Sequence, residues 1–223
     1  KSLQVLTTDH LREFNSDLWL FAKICAVHSL GDIWAMGAEP KTVMANIIVP
    51  EASTRIQKGW LNQLMQGASE VFEGEAVKIV GGHTSTGTEF SVGFSIIGEV
   101  SKSPILISGA QPNDLLILTK PIGSGTILAG EMQLQSRGQW VERALEWMSK
   151  PQGKAASILS NAGAMTDITG FGLVGHLMRI CEHSKVSANL QISQIPFLPG
   201  AEDLARKGIR STIYEDNLLI KKT

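Results

Sequence analysis

Two hydrophobic periods alternate along the first hundred positions. Residues 3–8 are apolar and β-branched and predict a strand that ends in the polar triplet Thr7-Thr8-Asp9. From Leu18 to Met36 the chain is apolar on nearly every side, which predicts a buried helix with Asn15 or Ser16 as its cap, Gly37 as its stop and Pro40 soon after. Residues 42–49 read as a buried strand closed by Pro50. Ile56, Trp60, Leu61, Leu64, Met65, Ala68, Val71 and Phe72 then recur three and four apart, the signature of one face of an amphipathic helix. Residues 77–80 predict a short strand running into a Gly81-Gly82-His83-Thr84 turn, and residues 91–100 predict another strand after a turn at Gly87.

A polar, turn-rich stretch over residues 101–114 contains Pro104, Gly109, Pro112 and Asn113 and places a domain boundary near residue 108. The first domain is expected over residues 1–107 and the second over 108–223. The second restarts with a strand at 115–119 and carries helices around 125–135, 140–149, 155–162 and 170–183. A strand at 187–192 and a short helix near 201–206 follow, with no evident final element at Lys221-Lys222-Thr223. Both lobes mix helix and strand, so the fold class is α+β or α/β.

With 43% hydrophobic and 18% charged residues the chain is no disordered tract. Its 20 basic and 21 acidic residues leave a net charge of −1, so neither nucleic acid nor an anionic membrane attracts it in bulk. No apolar run is expected to reach the roughly 18 residues that span a bilayer. Cys25 and Cys181 lie far apart, each in a helix-like pattern, and form neither a disulfide framework nor a metal-ligand spacing. A soluble protein of the reducing cytoplasm is expected. The chain opens in mid-strand without the features of a signal peptide, which reads as a fragment.

Asp32 is the most informative residue for chemistry. Leu18, Phe21, Cys25, His28 and Asp32 follow one another at three, four, three and four residues, so His28 and Asp32 continue an apolar stripe. A carboxylate buried there needs a cation or strong donors, and no Lys or Arg lies one turn away. A metal ion is one solution; a helix that ends early, leaving Asp32 solvated, is the other. Asp9 stands at a strand end, where a ligand contact, an Asx-turn and a helix cap all remain open. Asp167 precedes Ile168-Thr169-Gly170-Phe171-Gly172, either as a helix N-cap or beside a glycine turn that admits a phosphate. Gly82, His83 and Thr84 suit either a phosphate contact or an exposed turn. P-loop, dinucleotide-binding and nucleophile-elbow motifs are absent. Three separated carboxylates with nearby threonines and glycine turns suit a polyphosphate held by Mg²⁺, because a hard cation takes carboxylate oxygens and shares its shell with phosphate and water.

Five motifs in order carry a family resemblance: Thr7-Thr8-Asp9-His10, the run from His28 through Gly31-Asp32 to Glu39-Pro40, Gly81-Gly82-His83-Thr84, Leu118-Thr119-Lys120-Pro121, and Thr166-Asp167-Ile168-Thr169-Gly170-Phe171-Gly172 continuing to Gly175-His176-Leu177. The set resembles the selenophosphate synthetases (selenide, water dikinases) of the aminoimidazole ribonucleotide synthetase-like superfamily. The wording is most similar to the form fused to a flavin-type pyridine-nucleotide oxidoreductase domain, and such a fused or neighbouring domain is an expected partner. The resemblance implies synthesis of selenophosphate, AMP and phosphate from ATP, selenide and water. It maps Asp32 and Asp167 onto Mg²⁺ ligands, Asp9 and Asp32 onto the ATP site, and Gly82, His83 and Thr84 onto a nucleotide contact across a homodimer interface. The fold it implies is an N-terminal domain pairing into a dimeric β-barrel, followed by a C-terminal α/β domain, here incomplete.

This sequence lacks the family's glycine-rich segment with the reactive Cys or Sec and the catalytic Lys, so no catalytic residue is assigned within it and the chain by itself is expected to turn over little selenide. Cys25, on a buried stripe, does not replace the nucleophile. Alternatives are another ATP-binding member of the superfamily, similar to thiamine monophosphate kinase or the hydrogenase-maturation proteins, or a non-catalytic dimerisation or nucleotide-sensing module.

Overall fold

Period-two alternation in four segments becomes one sheet. The structure, a computed structural model, describes residues 3–219. Strands β1 (Leu3–Arg12), β2 (Glu39–Pro50), β3 (Lys78–Gly87) and β4 (Ser91–Val100) pair in the order β1-β4-β2-β3. The pairs β1/β4 and β2/β4 are antiparallel, and β2/β3 is parallel. Register puts Val43, Ala45, Ile47 and Val49 of β2 and Val92, Phe94 and Ile96 of β4 on one buried face. On the other face Leu6 and Met44 remain 68% and 48% exposed.

Helices α1 (Leu18–Ala35) and α2 (Thr54–Gly74) close the buried face. By length and composition α1 is apolar enough to cross a bilayer, contrary to the expectation that no run approaches that length, but two thirds of it is buried as a core helix. Its cap is Asp17, whose carboxylate accepts the N–H of Leu20, while Asn15 accepts the N–H of Asp17. The cap therefore falls just past both residues predicted for it. The α2 stripe faces the core through Leu64, Ala68, Val71 and Phe72, and the Phe72 ring meets Phe94 edge-on at 5.0 Å. The two helices approach so closely at Gly67 that a Cβ there would lie 2.0 Å from the Trp19 carbonyl oxygen.

β3 differs from its prediction. Gly81, Gly82, His83 and Thr84 form no turn; they extend the strand to Gly87 beside β2, with a bulge opposite Val43 and Met44. The glycine serves close approach across the sheet, since a Cβ on Gly82 would stand 2.2 Å from the Ala45 carbonyl oxygen.

The chain divides into two compact units, one of the residues up to Ile105 with Ser149–Asn161, the other of Leu106–Met148 with the residues from Ala162 onward. Helix α5 (Gly153–Ile158), read from sequence as part of the second domain, thus lies in the first unit. Gly153 permits this, because its Cβ position lies 2.1 Å from the Glu75 carboxylate and 3.2 Å from the Trp34 indole nitrogen. Burial pushes the Glu75 carboxyl above its usual range.

The second unit contains α3 (Ser124–Met132), α4 (Gly138–Met148), α6 (Gly172–Ser184), α7 (Ala201–Arg206) and α8 (Tyr214–Leu219). Ile127, Ala144 and Leu204 are fully buried in it. The strands predicted at 115–119 and 187–192 are not formed; a single bridge between Ile122 and Phe197 is the sheet pairing in this unit among the described residues. An apolar run becomes a strand only against a partner, and without one Leu115 is 88% exposed. Helix α8 was missed by the sequence reading, and Lys221, Lys222 and Thr223 lie outside the described residues.

Candidate functional site

A strand period and a helix period cross in the first unit. On β1, Thr7 and Asp9 are two residues apart and so share the face that packs on α1; on α1, His28 and Asp32 are four apart and share the face that meets β1. Thr7 Oγ1 donates to Asp32 Oδ2 at 2.5 Å. His28 Nε2 lies 3.8 Å from Asp9 Oδ2, with both side chains 31% exposed. Asp9 and Asp32 stand near enough for their charges to bear on one another. Burial, foremost, pushes the Asp9 carboxyl above its usual range; the negative charge of Asp32 pushes the same way, against His28. Among the described residues no Lys or Arg pairs with either aspartate.

Asp32 is half-buried rather than fully enclosed, and a single hydroxyl answers part of its need for donors. Thr7 and His28 are the members of this cluster that the sequence reading did not assign. The signal available for them was polarity at core-facing positions, visible for His28 on its stripe but hidden for Thr7 until the register of β1 was known. The pair supplies two carboxylates; no group of three or more His, Cys, Asp or Glu side chains is gathered as a metal site among the described residues.

Gly82, His83 and Thr84 lie exposed on β3, which is an edge of the sheet, and His83 pairs in register with Asn46. Asp167 belongs to the second unit, in the segment before α6. There, Thr169 N–H donates to His176 Nε2 at 3.1 Å, and Thr166 Oγ1 lies 3.1 Å from His176 Nδ1. Gly172 opens the helix with φ +68°, in the left-handed region that glycine tolerates. Cys25 is 1% exposed and burial pushes its thiol strongly up, so it is no thiolate nucleophile. Cys181 is only half-buried, and both cysteines are free.

Residues 1–100 match the N-terminal domain and residues 111–211 the C-terminal domain of AIR synthase related proteins. Among curated relatives, the selenide, water dikinase of Citrifermentans bemidjiense is 30% identical over 208 residues, covering 92% of this chain and 60% of the relative. The selenide, water dikinase 2 of Peptoclostridium acidaminophilum is 35% identical over 208 residues, covering 92% and 59%. The chain thus spans about three-fifths of the length of the curated relatives it matches. Among solved structures, thiamine-monophosphate kinase from Stenotrophomonas maltophilia K279a superposes with a TM-score of 0.80 at 20% identity, covering 94% of this chain and 71% of that one. Hydrogenase maturation protein HypE in complex with ATP superposes with a TM-score of 0.78 at 15% identity, covering 95% and 65%. These likenesses show a shared fold. With its two successive halves matched in order, and with that fold, the chain belongs to the AIR synthase related protein family.

Proposed function

We propose that the protein to which this chain belongs makes selenophosphate, AMP and phosphate from ATP, selenide and water. The names of its curated relatives support the reaction. The observation that carries the site is the Asp9–Asp32 pair: two half-buried carboxylates whose charges bear on one another, with the Asp9 carboxyl pushed up by burial and by its neighbour. A divalent cation between the two carboxylates would relieve their repulsion.

The donors fit Mg²⁺, being carboxylate oxygens beside a hydroxyl, without thiolate or a gathered histidine cluster. Asp9 and Asp32 would hold an ion in the first unit; Asp167, in the second unit, is a proposed Mg²⁺ ligand of its own segment. Bound there, Mg²⁺ offsets the charge of the triphosphate as it is cleaved. Thr7 fixes the Asp32 carboxylate by donating to Oδ2, and His28 places a ring nitrogen beside Asp9. Gly82, His83 and Thr84, exposed along β3, offer backbone and side-chain donors to the nucleotide.

The functional form in this reading is a homodimer in the reducing cytoplasm. Its support is the exposed sheet face, where Leu6 on β1 and Met44 on β2, on either side of β4, remain open to solvent among the described residues. A second copy, carrying the same face, would cover both.

The binding half of the proposal is tested on this chain by calorimetric titration with ATP, with and without Mg²⁺. Saturable binding that needs the metal is expected, and no binding in its presence would overturn the site. The reaction is tested on the gene's full-length product, where AMP release should depend on selenide. AMP release indifferent to selenide, or phosphorylation of thiamine monophosphate instead, would overturn the substrate. Sedimentation at micromolar concentration should give a dimer; a monomer removes the homodimer.

A further inference from the structure

His176 is a conspicuous residue that the proposed chemistry leaves without a task. It lies four residues into α6, so its ring projects back over the segment that carries Asp167. That segment has little backbone support: between Met165 and Thr169 no residue is in helix or strand, and Gly172 N–H to Thr169 O is the next backbone hydrogen bond among the described residues. The imidazole supplies bonds to this segment from outside it. Its Nε2 accepts the Thr169 N–H at 3.1 Å and lies 3.3 Å from the Thr169 hydroxyl, while Nδ1 lies 3.1 Å from the Thr166 hydroxyl.

The donor inventory fixes the tautomer. A backbone N–H only donates, so Nε2 presents its lone pair and the ring proton sits on Nδ1, which donates to Thr166 Oγ1. One ring thereby grips the residue before Asp167 and the residue two places after it. Phe171 packs beside the imidazole at 5.8 Å between ring centres.

We propose that His176 is a positioning residue: by bracketing Asp167 between Thr166 and Thr169 it sets the direction in which that carboxylate meets a divalent cation. The inference rests on the reading of Asp167 as a cation ligand. A residue that orients a ligand in this way changes metal affinity about 10- to 100-fold when removed.

The experiment is a titration of Mg²⁺ into the chain with a fixed concentration of a non-hydrolysable ATP analogue, reading the Mg²⁺ midpoint of nucleotide binding beside the ligand-free melting temperature. His176→Ala should raise that midpoint at least about tenfold. His176→Gln, whose amide oxygen reaches the Nε2 position as an acceptor, should recover much of the loss. A purely structural role lowers the melting temperature and leaves the Mg²⁺ midpoint where it was, and that result overturns the inference. Asp167→Asn separates the two layers. If it shifts the midpoint and His176→Ala does not, the positioning role fails; if Asp167→Asn itself changes nothing, the ligand reading falls and takes the inference with it. Should His176→Ala not fold, Thr166→Val removes one arm of the bracket at constant volume. A smaller rise in the midpoint then supports the role, and an unchanged midpoint overturns it.

Discussion

Replacing Asp32 by Asn leaves shape and hydrogen bonding nearly intact, since Thr7 still has an oxygen to donate to, but removes one of two like charges. At contact distance and an effective dielectric of about 20 such charges repel by about 4 kcal/mol, and half-exposure to water screens most of it, leaving about 1 kcal/mol. The ligand-free Asn variant should therefore melt roughly 2–4 °C higher than the parent, the shift that 1 kcal/mol gives a chain of this size. With Mg·ATP the order should reverse. The parent, at a hundred times its dissociation constant, gains about 2.7 kcal/mol, whereas a variant that no longer binds gains nothing. Differential scanning calorimetry with and without Mg·ATP reads both effects, and their opposite signs are the signature: a charge that costs stability alone and earns it with the ligand. An Asn variant that binds Mg·ATP as tightly as the parent, or that melts lower without ligand, would refute the reasoning.

Because the folded Asp9 carboxyl lies above its usual value, the folded state holds its proton to higher pH than the unfolded chain does. Ligand-free stability should thus fall as pH rises from about 4 through the raised value. The difference in melting temperature between parent and Asp9→Asn isolates this contribution, and a difference that stays flat or grows in the parent's favour over that window contradicts it. Gly67→Ala should destabilise the first unit by about 2 kcal/mol in urea titrations, since its methyl would meet the Trp19 backbone. Gly59→Ala on the same helix has open space around it and should stabilise by about 0.5–1 kcal/mol; equal effects would refute the close-approach argument. Gly82→Ala should part β3 from β2 near Ala45 and weaken nucleotide binding, read as faster amide hydrogen exchange from Ile79 to Thr86 and a higher ATP midpoint; unchanged protection would refute it.

The elements that were legible are those whose period is written in their own residues. β4 lies where its alternation put it, and α1 and α2 differ from expectation by a residue or two at their ends. What was not legible depends on partners distant in sequence. Gly81-Gly82 reads as a turn by composition; only the nearness of the Ala45 carbonyl makes it a strand. Residues 115–119 have the composition of a strand but no neighbour among the described residues to pair with. Gly153 could be placed in the first unit only once Glu75 and Trp34 were seen to need a residue without a side chain beside them. Asp32 was legible as a carboxylate on an apolar stripe, whereas its bond to Thr7, 25 residues away, was not.

The aspartate pair joins those two kinds of information. A polar residue on one core-facing stripe has a cheap remedy, because a small tilt of the element turns it toward water. Polar residues on two stripes that face each other have no such remedy: tilting β1 to release Asp9 would unpair it from β4, and turning α1 to release Asp32 would expose Phe21, Leu30 and Ile33. The carboxylates are therefore held together by the packing of everything else, and their repulsion can be settled only locally, by a proton at low pH or by a cation at neutral pH. With no Lys or Arg among the described residues paired to either, and with His28 at 3.8 Å too distant for a strong hydrogen bond, the position of greatest need in the first unit is one that a divalent ion would fill.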